Sequence, residues 1–418
     1  MDYTENLIDF IGKSTDCYHA VKTAKDRLDE NGFTELFEGD KWDVQSGGKY
    51  YVIRNSSSII AFEMPKKDFG AFMICASHTD SPSFKLKPDF EINADGCIKL
   101  SVEGYGGMIM SSWLDRPLSI SGRIVTAKDG KIETKLVNID RDLLVIPSLA
   151  IHMSRDINKG YEFNIRRDMC PISSEKNGRI EDIIAENVGV DKEEILGFDL
   201  SLYNRMRGTV LGADGEYFSA PRIDDLQCMY STLEGFLNSE SDDNVTVFAA
   251  FDNEEVGSGT KQGAKSSFLR DVLERICNNS ETYKRAVAKS FMLSCDNAHA
   301  VHPNFADKSD GTNRVYMNGG IVIKYNANQR YTTDAVSEAV VKYVCKNAGV
   351  PYQMYANRSD IPGGSTLGNL SNEKVSLNTA DIGLAQLAMH SSYETAGSRD
   401  TEYMVKMIKE FYKTEIVL

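Results

Sequence analysis

The segment Asp252-Asn253-Glu254-Glu255-Val256-Gly257-Ser258 places two adjacent glutamates directly behind an apolar run, Val245 to Phe251. The length and β-branched content of that run predict a buried strand, which would deliver both acids to its C-terminal end. In open α/β sheets ligand sites collect at that end. Neighbouring carboxylates repel, so a positive partner is expected among them, and a metal ion would serve. A solvated acidic turn is the plainer reading of the pair taken alone.

Three other segments share the layout of an apolar strand running into a potential ligand. Phe72 to Ser77 leads into His78-Thr79-Asp80, Ser290 to Cys295 into Asp296, and Leu384 to Met389 into His390. In Ala220 to Leu226, the acids Asp224 and Asp225 precede Leu226, Met229, Tyr230 and Leu233, whose spacing is helical. The set is imidazole and carboxylate without thiolate. It suits zinc or another divalent ion, and its size suits two ions sharing one carboxylate.

These groups need a rigid frame. Helical periodicity spans 4–33, as one helix or a pair, and strands are predicted at 49–54, 58–63 and 71–76. From about 91 to 215 short alternating segments predominate: Cys97 to Val102, Leu118 to Val125, and Ile132 to Val137 after an Asp129-Gly130 turn. A charged stretch lies near 154–195. From about 216 the α/β rhythm resumes, with helices at 224–238, 260–277, 332–348 and 399–414 and strands at 245–251, 290–296, 320–325 and 352–356. The expected division is 1–90 and 216–418 as two parts of one catalytic domain, with 91–215 as a mostly β insertion.

At 418 residues the chain can bury a large core. Its 47 basic against 61 acidic residues, net −14, argue against a nucleic-acid or membrane-surface partner. The sequence shows neither a long apolar span nor a signal-peptide pattern, and its eight cysteines form no Cys-x-x-Cys pair, so a cytoplasmic protein with reduced thiols is expected.

The chain resembles the aspartyl aminopeptidase family of co-catalytic zinc exopeptidases over nearly its whole length. The matching segments are His78 to Pro82, Trp113 to Leu118, Ile146 to His152, Asp252 to Ser258, Asp296 to Asn304, Asn326 to Tyr331 and Gln386 to Ser391. Two departures stand out: Asp225 occupies a position where the family often has Asn, and Asp16-Cys17-Tyr18 precede His19 where small and Pro-containing residues are expected. The resemblance implies an α/β fold, a zinc-exopeptidase-like three-layer αβα catalytic domain carrying an inserted β dimerisation domain. It implies two divalent ions per subunit, zinc above all, with manganese or cobalt as alternatives.

Carried over residue by residue, His78 and Asp296 would hold one ion, Glu255 and His390 the other, and Asp224 would bridge them. A water or hydroxide would complete the bridge, its pKa lowered toward neutrality. Glu254 would then be the general base, and Asp80 would accept the second imidazole N–H of His78. His152, far from the ligands in sequence, is by residue type alone a core or interface histidine. The resemblance instead implies that it reaches the active site of a neighbouring subunit and stabilises the tetrahedral intermediate. His19 reads as structural, and His299 and His302 as supporting residues.

The expected activity is a metal-dependent aminopeptidase acting on peptides, with an acidic N-terminal residue preferred. Lys324, at the end of Ile321-Val322-Ile323, is the first candidate for the cation that such a preference needs; Arg330 and Lys85 are the alternatives. Self-association into a dodecamer enclosing its active sites is also implied. The competing readings are an aminopeptidase for neutral residues, a small-amide deacylase and a non-catalytic assembly protein.

Overall fold

A strand buried on both faces needs a nearly continuous apolar run, and Phe72–His78 and Val245–Phe251 supply it, with Thr246, Ser77 and His78 as the polar exceptions. Alternate side chains of each then enter different cores. Met73, Cys75, Phe248 and Ala250 face one side, while Phe72, Ile74, Ala76, Val247 and Ala249 face the other. The computed structural model describes residues 2–175, 179–239, 243–277, 279–361 and 363–416. The chain forms two compact units. One comprises the residues up to Asp80, Gly208–Met389 and those from Glu394 on; the other comprises Ser81–Arg207 and His390–Tyr393.

The first unit is built on a nine-stranded mixed sheet. Its order is Thr34–Glu35, Lys49–Arg54, Ser58–Glu63, Val245–Phe251, Phe72–His78, Phe291–Cys295, Asn378–Gly383, Ile321–Tyr325 and Tyr352–Ala356. The four central strands, from Val245–Phe251 to Asn378–Gly383, run parallel, with Phe251 level with His78 and Cys295 level with Ile382. Helices Tyr3–Lys13, Cys17–Glu30, Ile223–Leu237, Ala335–Ala348 and Asp400–Lys413 cover one face through residues such as Leu7, Leu28, Met229, Val341 and Ile408. Helix Phe268–Ile276 covers the other through Phe268, Leu269, Val272 and Leu273. The result is the three-layer α/β architecture expected. Each such apolar side chain, fully buried, contributes about 1.5–3 kcal/mol. A separate five-stranded sheet orders Thr209–Leu211, Tyr217–Ala220, Glu394–Gly397, Ala385–Leu387 and Ala298–His299.

The second unit holds a six-stranded antiparallel sheet in the order Lys131–Asn138, Leu118–Lys128, Ile195–Asn204, Ser83–Ala94, Cys97–Tyr105 and Ile172–Glu175. Its own core gathers Phe84, Leu100, Trp113, Ile120, Ile124, Leu200 and Leu202. The Asp129-Gly130 turn has positive φ at both residues, 52° and 75°, as a tight hairpin requires.

Three local expectations are corrected. Residues 260–267 are not helical, and the helix there begins only at Phe268 after the turn around Gly263. Ser280–Lys289 is a helix that periodicity did not indicate, because Ala286 is its one buried residue. The strand expected over Leu384 to Met389 is only Ala385–Leu387, in the small sheet; the large sheet uses Asn378–Gly383. Part of the charged stretch near 154–195 falls at residues 176–178, outside the described residues.

Candidate active site

His78 is the last residue of its strand and 1% exposed. Its backbone N–H donates to Asp225 Oδ2 at 3.1 Å, which ties the strand end to the start of helix Ile223–Leu237. Its Nδ1 lies 3.0 Å from the backbone oxygen of Asp80 and 3.5 Å from the Asp80 carboxylate. A carbonyl only accepts, so Nδ1 carries a proton, and in the neutral ring Nε2 is left with its lone pair. That lone pair faces Asp224 Oδ1, at 3.4 Å. The backbone carbonyl of Asp80, rather than the carboxylate expected from sequence, is therefore the nearer acceptor. The carboxylate has a different use, since Oδ1 accepts the backbone N–H of Glu254 at 3.1 Å and Oδ2 that of Glu255 at 3.2 Å.

The loop bearing the two glutamates leaves its strand through a tight turn. Asn253, Gly257 and Ser258 all have positive φ, at 65°, 90° and 57°. Asn253 holds the strained conformation because its side-chain oxygen accepts from Thr260 Oγ1 and Gln262 Nε2, both at 2.8 Å. Asp224 and Asp225 have non-helical φ/ψ at the head of their helix, and the Asp224 N–H donates to buried Glu394 at 3.0 Å. Asp296 follows Cys295, its N–H bonded to the Ile382 carbonyl at 3.0 Å. The approach is so close there that a Cβ on Gly383 would lie 1.9 Å from the Asp296 oxygen.

Ligand atoms of His78, Asp224, Asp225 and Asp296 all lie within 4.8 Å of one another, as do those of His78, Glu254 and Glu255. Burial, reinforced by the neighbouring acids, pushes Glu254 up to about 8 and Glu255 well above the usual carboxyl range. Burial also raises Asp296 and Asp225. On His78 burial opposes the charge, but the surrounding carboxylates, Asp225 foremost, outweigh it and raise its pKa. A divalent cation would relieve this crowding of acids, and imidazole with carboxylates is a donor set that zinc accepts. The residues present fit such an ion.

The remaining expected residues are placed as follows. Lys324 is 2% exposed; its ammonium donates to the Asn297 carbonyl at 2.8 Å and lies 3.5 Å from Asp296. Arg330 is exposed and donates to the Gly363 carbonyl, and Lys85 sits over the Tyr105 ring in the second unit. His390 has a φ of 67° and opens the short stretch counted with the second unit, where its carbonyl accepts from the Ile109 N–H at 3.0 Å. His152 stands in an exposed turn of that unit, between exposed Ile151 and Met153. His19 is tied to Asp16 Oδ2 at 2.7 Å, and His302 accepts from the Asn304 N–H. Sequence reasoning missed Glu394 and Asn297, buried polar residues that meet the site only through the fold. Asn297 links Gln227, Gln386 and Cys228 behind Asp296.

A parallel sheet flanked by helices, with a buried imidazole-carboxylate cluster at its strand ends, is the construction of a metal-dependent hydrolase. The chain belongs to the M18 peptidase family, described as aminopeptidase I zinc metalloprotease, which it matches over residues 10–412. It is 45% identical over 430 residues to the probable M18 family aminopeptidase 2 of Clostridium acetobutylicum, covering 99% of both chains. Among solved structures it superposes with a TM-score of 0.95 on a chain of the Ape4 and Nbr1 complex, at 35% identity over 98% of this chain and 85% of that one. The S. cerevisiae mApe1 dodecamer gives a TM-score of 0.86 at 29% identity, over 98% and 96% of the two chains. The protein is a metallo-aminopeptidase.

Proposed function

We propose that this aminopeptidase removes acidic N-terminal residues from peptides, using two divalent ions, zinc by preference, with Glu254 as general base. His78 and Asp296 would hold one ion, Glu255 and His390 the other, with Asp224 shared. The observation that carries the reading is the meeting of His78, Asp296, Glu254 and Glu255, at the ends of parallel strands, with Asp224 at the head of helix Ile223–Leu237. The ions, when bound, supply Lewis-acid polarisation of the scissile carbonyl and a water of lowered pKa. Glu254 takes a proton from the attacking water and hands it to the leaving amine. Asp80 fixes His78 through its carbonyl and the two glutamate N–H groups through its carboxylate.

Selectivity for an acidic residue needs a local cation in a chain of net charge −14. Lys324 is the buried cation beside Asp296, and of the three N–H groups of its ammonium one donates to the Asn297 carbonyl while the Asp296 carboxylate lies 3.5 Å away. His152 serves the site of a neighbouring subunit, donating to the developing oxyanion. Leu149, Ile151 and Met153 on the same loop are 53%, 47% and 77% exposed, an apolar patch that association would cover. The dodecamer formed by mApe1 supports self-association here as well.

A panel of aminoacyl substrates assayed on the wild type and on Lys324→Met tests the reading. A hydrogen bond to a charged group contributes about 1.5–3 kcal/mol, so kcat/KM for Asp and Glu substrates should fall roughly 10–150-fold while neutral substrates change little. Equal losses on both classes, or a wild type that prefers leucine, would sink the acidic preference.

A further inference from the structure

Asp225 stands apart from the residues given a part above. It is fully buried, with one carboxylate oxygen accepting the His78 N–H at 3.1 Å and no further partner beyond the weakly donating Cys228 thiol. Burying a carboxylate with an oxygen unsatisfied is unfavourable unless a cation compensates it. The positive charge that acts on it comes foremost from His78, while Lys324 lies beyond Asp296. Yet a ligand-capable oxygen of Asp225 lies within 4.8 Å of ligand atoms of His78, Asp224 and Asp296. The carboxylate is thus grouped with His78, Asp224 and Asp296, the donors proposed above for one of the two ions.

We infer that Asp225 is a metal-retention residue for the ion held by His78 and Asp296. It anchors the imidazole-bearing strand end through the His78 N–H and sets a buried negative charge beside that one position. The inference rests on the two-ion reading above and assigns to Asp225 a bias toward one of the two ions.

The test starts from holoenzyme saturated with zinc and dialysed against a graded series of chelator concentrations, with ions per subunit counted by mass spectrometry. Asp225→Asn preserves shape and an oxygen to accept the His78 N–H while removing the charge; Asp225→Ser removes the charge with less bulk should the amide hydrogens crowd the site. Loss of a group supporting a ligand lowers metal affinity about 10–100-fold. One of the two ions should therefore leave either variant at about tenfold or more lower chelator concentration, while the second follows the wild-type curve. Melting of the zinc-saturated variants reports that they are folded. Wild-type release curves for both ions, or equal weakening of both, would overturn the role of Asp225. A wild type that holds fewer than two ions in excess zinc would instead overturn the two-ion reading, and the inference with it.

Discussion

Glu254 and Glu255 are adjacent, share one anchoring carboxylate and are given opposite duties, one a base and the other a ligand. Replacing Glu254 by Gln keeps shape and removes the proton acceptor, so kcat should fall by about 10²–10⁴. Metal analysis of that variant should still find two ions per subunit; near-normal turnover with a metal deficit would exchange the two roles. The acids around them also set how the metal-free protein takes up metal. The raised pKa values of the proposed ligands mean that protons remain on groups the ion needs bare, with His78, Glu255 and Asp296 all shifted upward. Uptake must then release protons, and apparent affinity should climb as pH rises through neutrality. Calorimetric titration in two buffers of different ionisation enthalpy measures that release. A pH-independent affinity with no proton release would contradict the electrostatics described.

Between strands, the tightest demand falls on Gly383. A methyl group there would overlap the Asp296 carbonyl and press on Lys324 Cε at 3.2 Å. Gly383→Ala should destabilise the protein by about 1–3 kcal/mol or more, as overpacking does, and lower retention of the ion at Asp296. Calorimetric melting with metal analysis checks both; an unchanged melting temperature would show that the two strands separate freely. The same neighbourhood shows what sequence conveys and what it does not. Val245–Phe251 and Tyr352–Ala356 were legible to the residue, since each is an apolar or aromatic run with polar or proline-marked borders. Asn378–Gly383, a central strand, was not. Its Asp381 looks like a loop residue until Thr332 and Thr366 are seen to donate to it in the folded chain. The acids at the ends of apolar runs could be picked out by position alone. Glu394 and Asn297 could not, because nothing local marks a polar side chain whose partners lie in distant segments.

At the scale of the molecule the proposed association makes its own prediction. His152→Ala should retain its metals and lose about 10²–10³ in kcat, the usual effect of deleting one oxyanion donor. Mixed oligomers of His152→Ala and Glu254→Gln subunits should regain part of the activity, since some sites then receive an intact histidine and an intact glutamate from different chains. No recovery in verified mixed oligomers would confine His152 to its own subunit or remove it from catalysis. The order of the segments has a further consequence, for synthesis. The strand Phe72–His78 lies between Val245–Phe251 and Phe291–Cys295, and both partners come after Ser81–Arg207, the bulk of the second unit, in the chain. At ~5–20 residues per second on the ribosome, roughly 10–40 s separate the emergence of His78 from that of Asp296. For that interval a largely apolar central strand waits with neither edge paired, while Ser81–Arg207 has all six strands of its own sheet in hand and is free to fold first. The nascent first unit is accordingly the part of this protein expected to need protection longest, and with the proposed ligand Asp296 so late in the chain, metal capture would follow as a late event of its biogenesis.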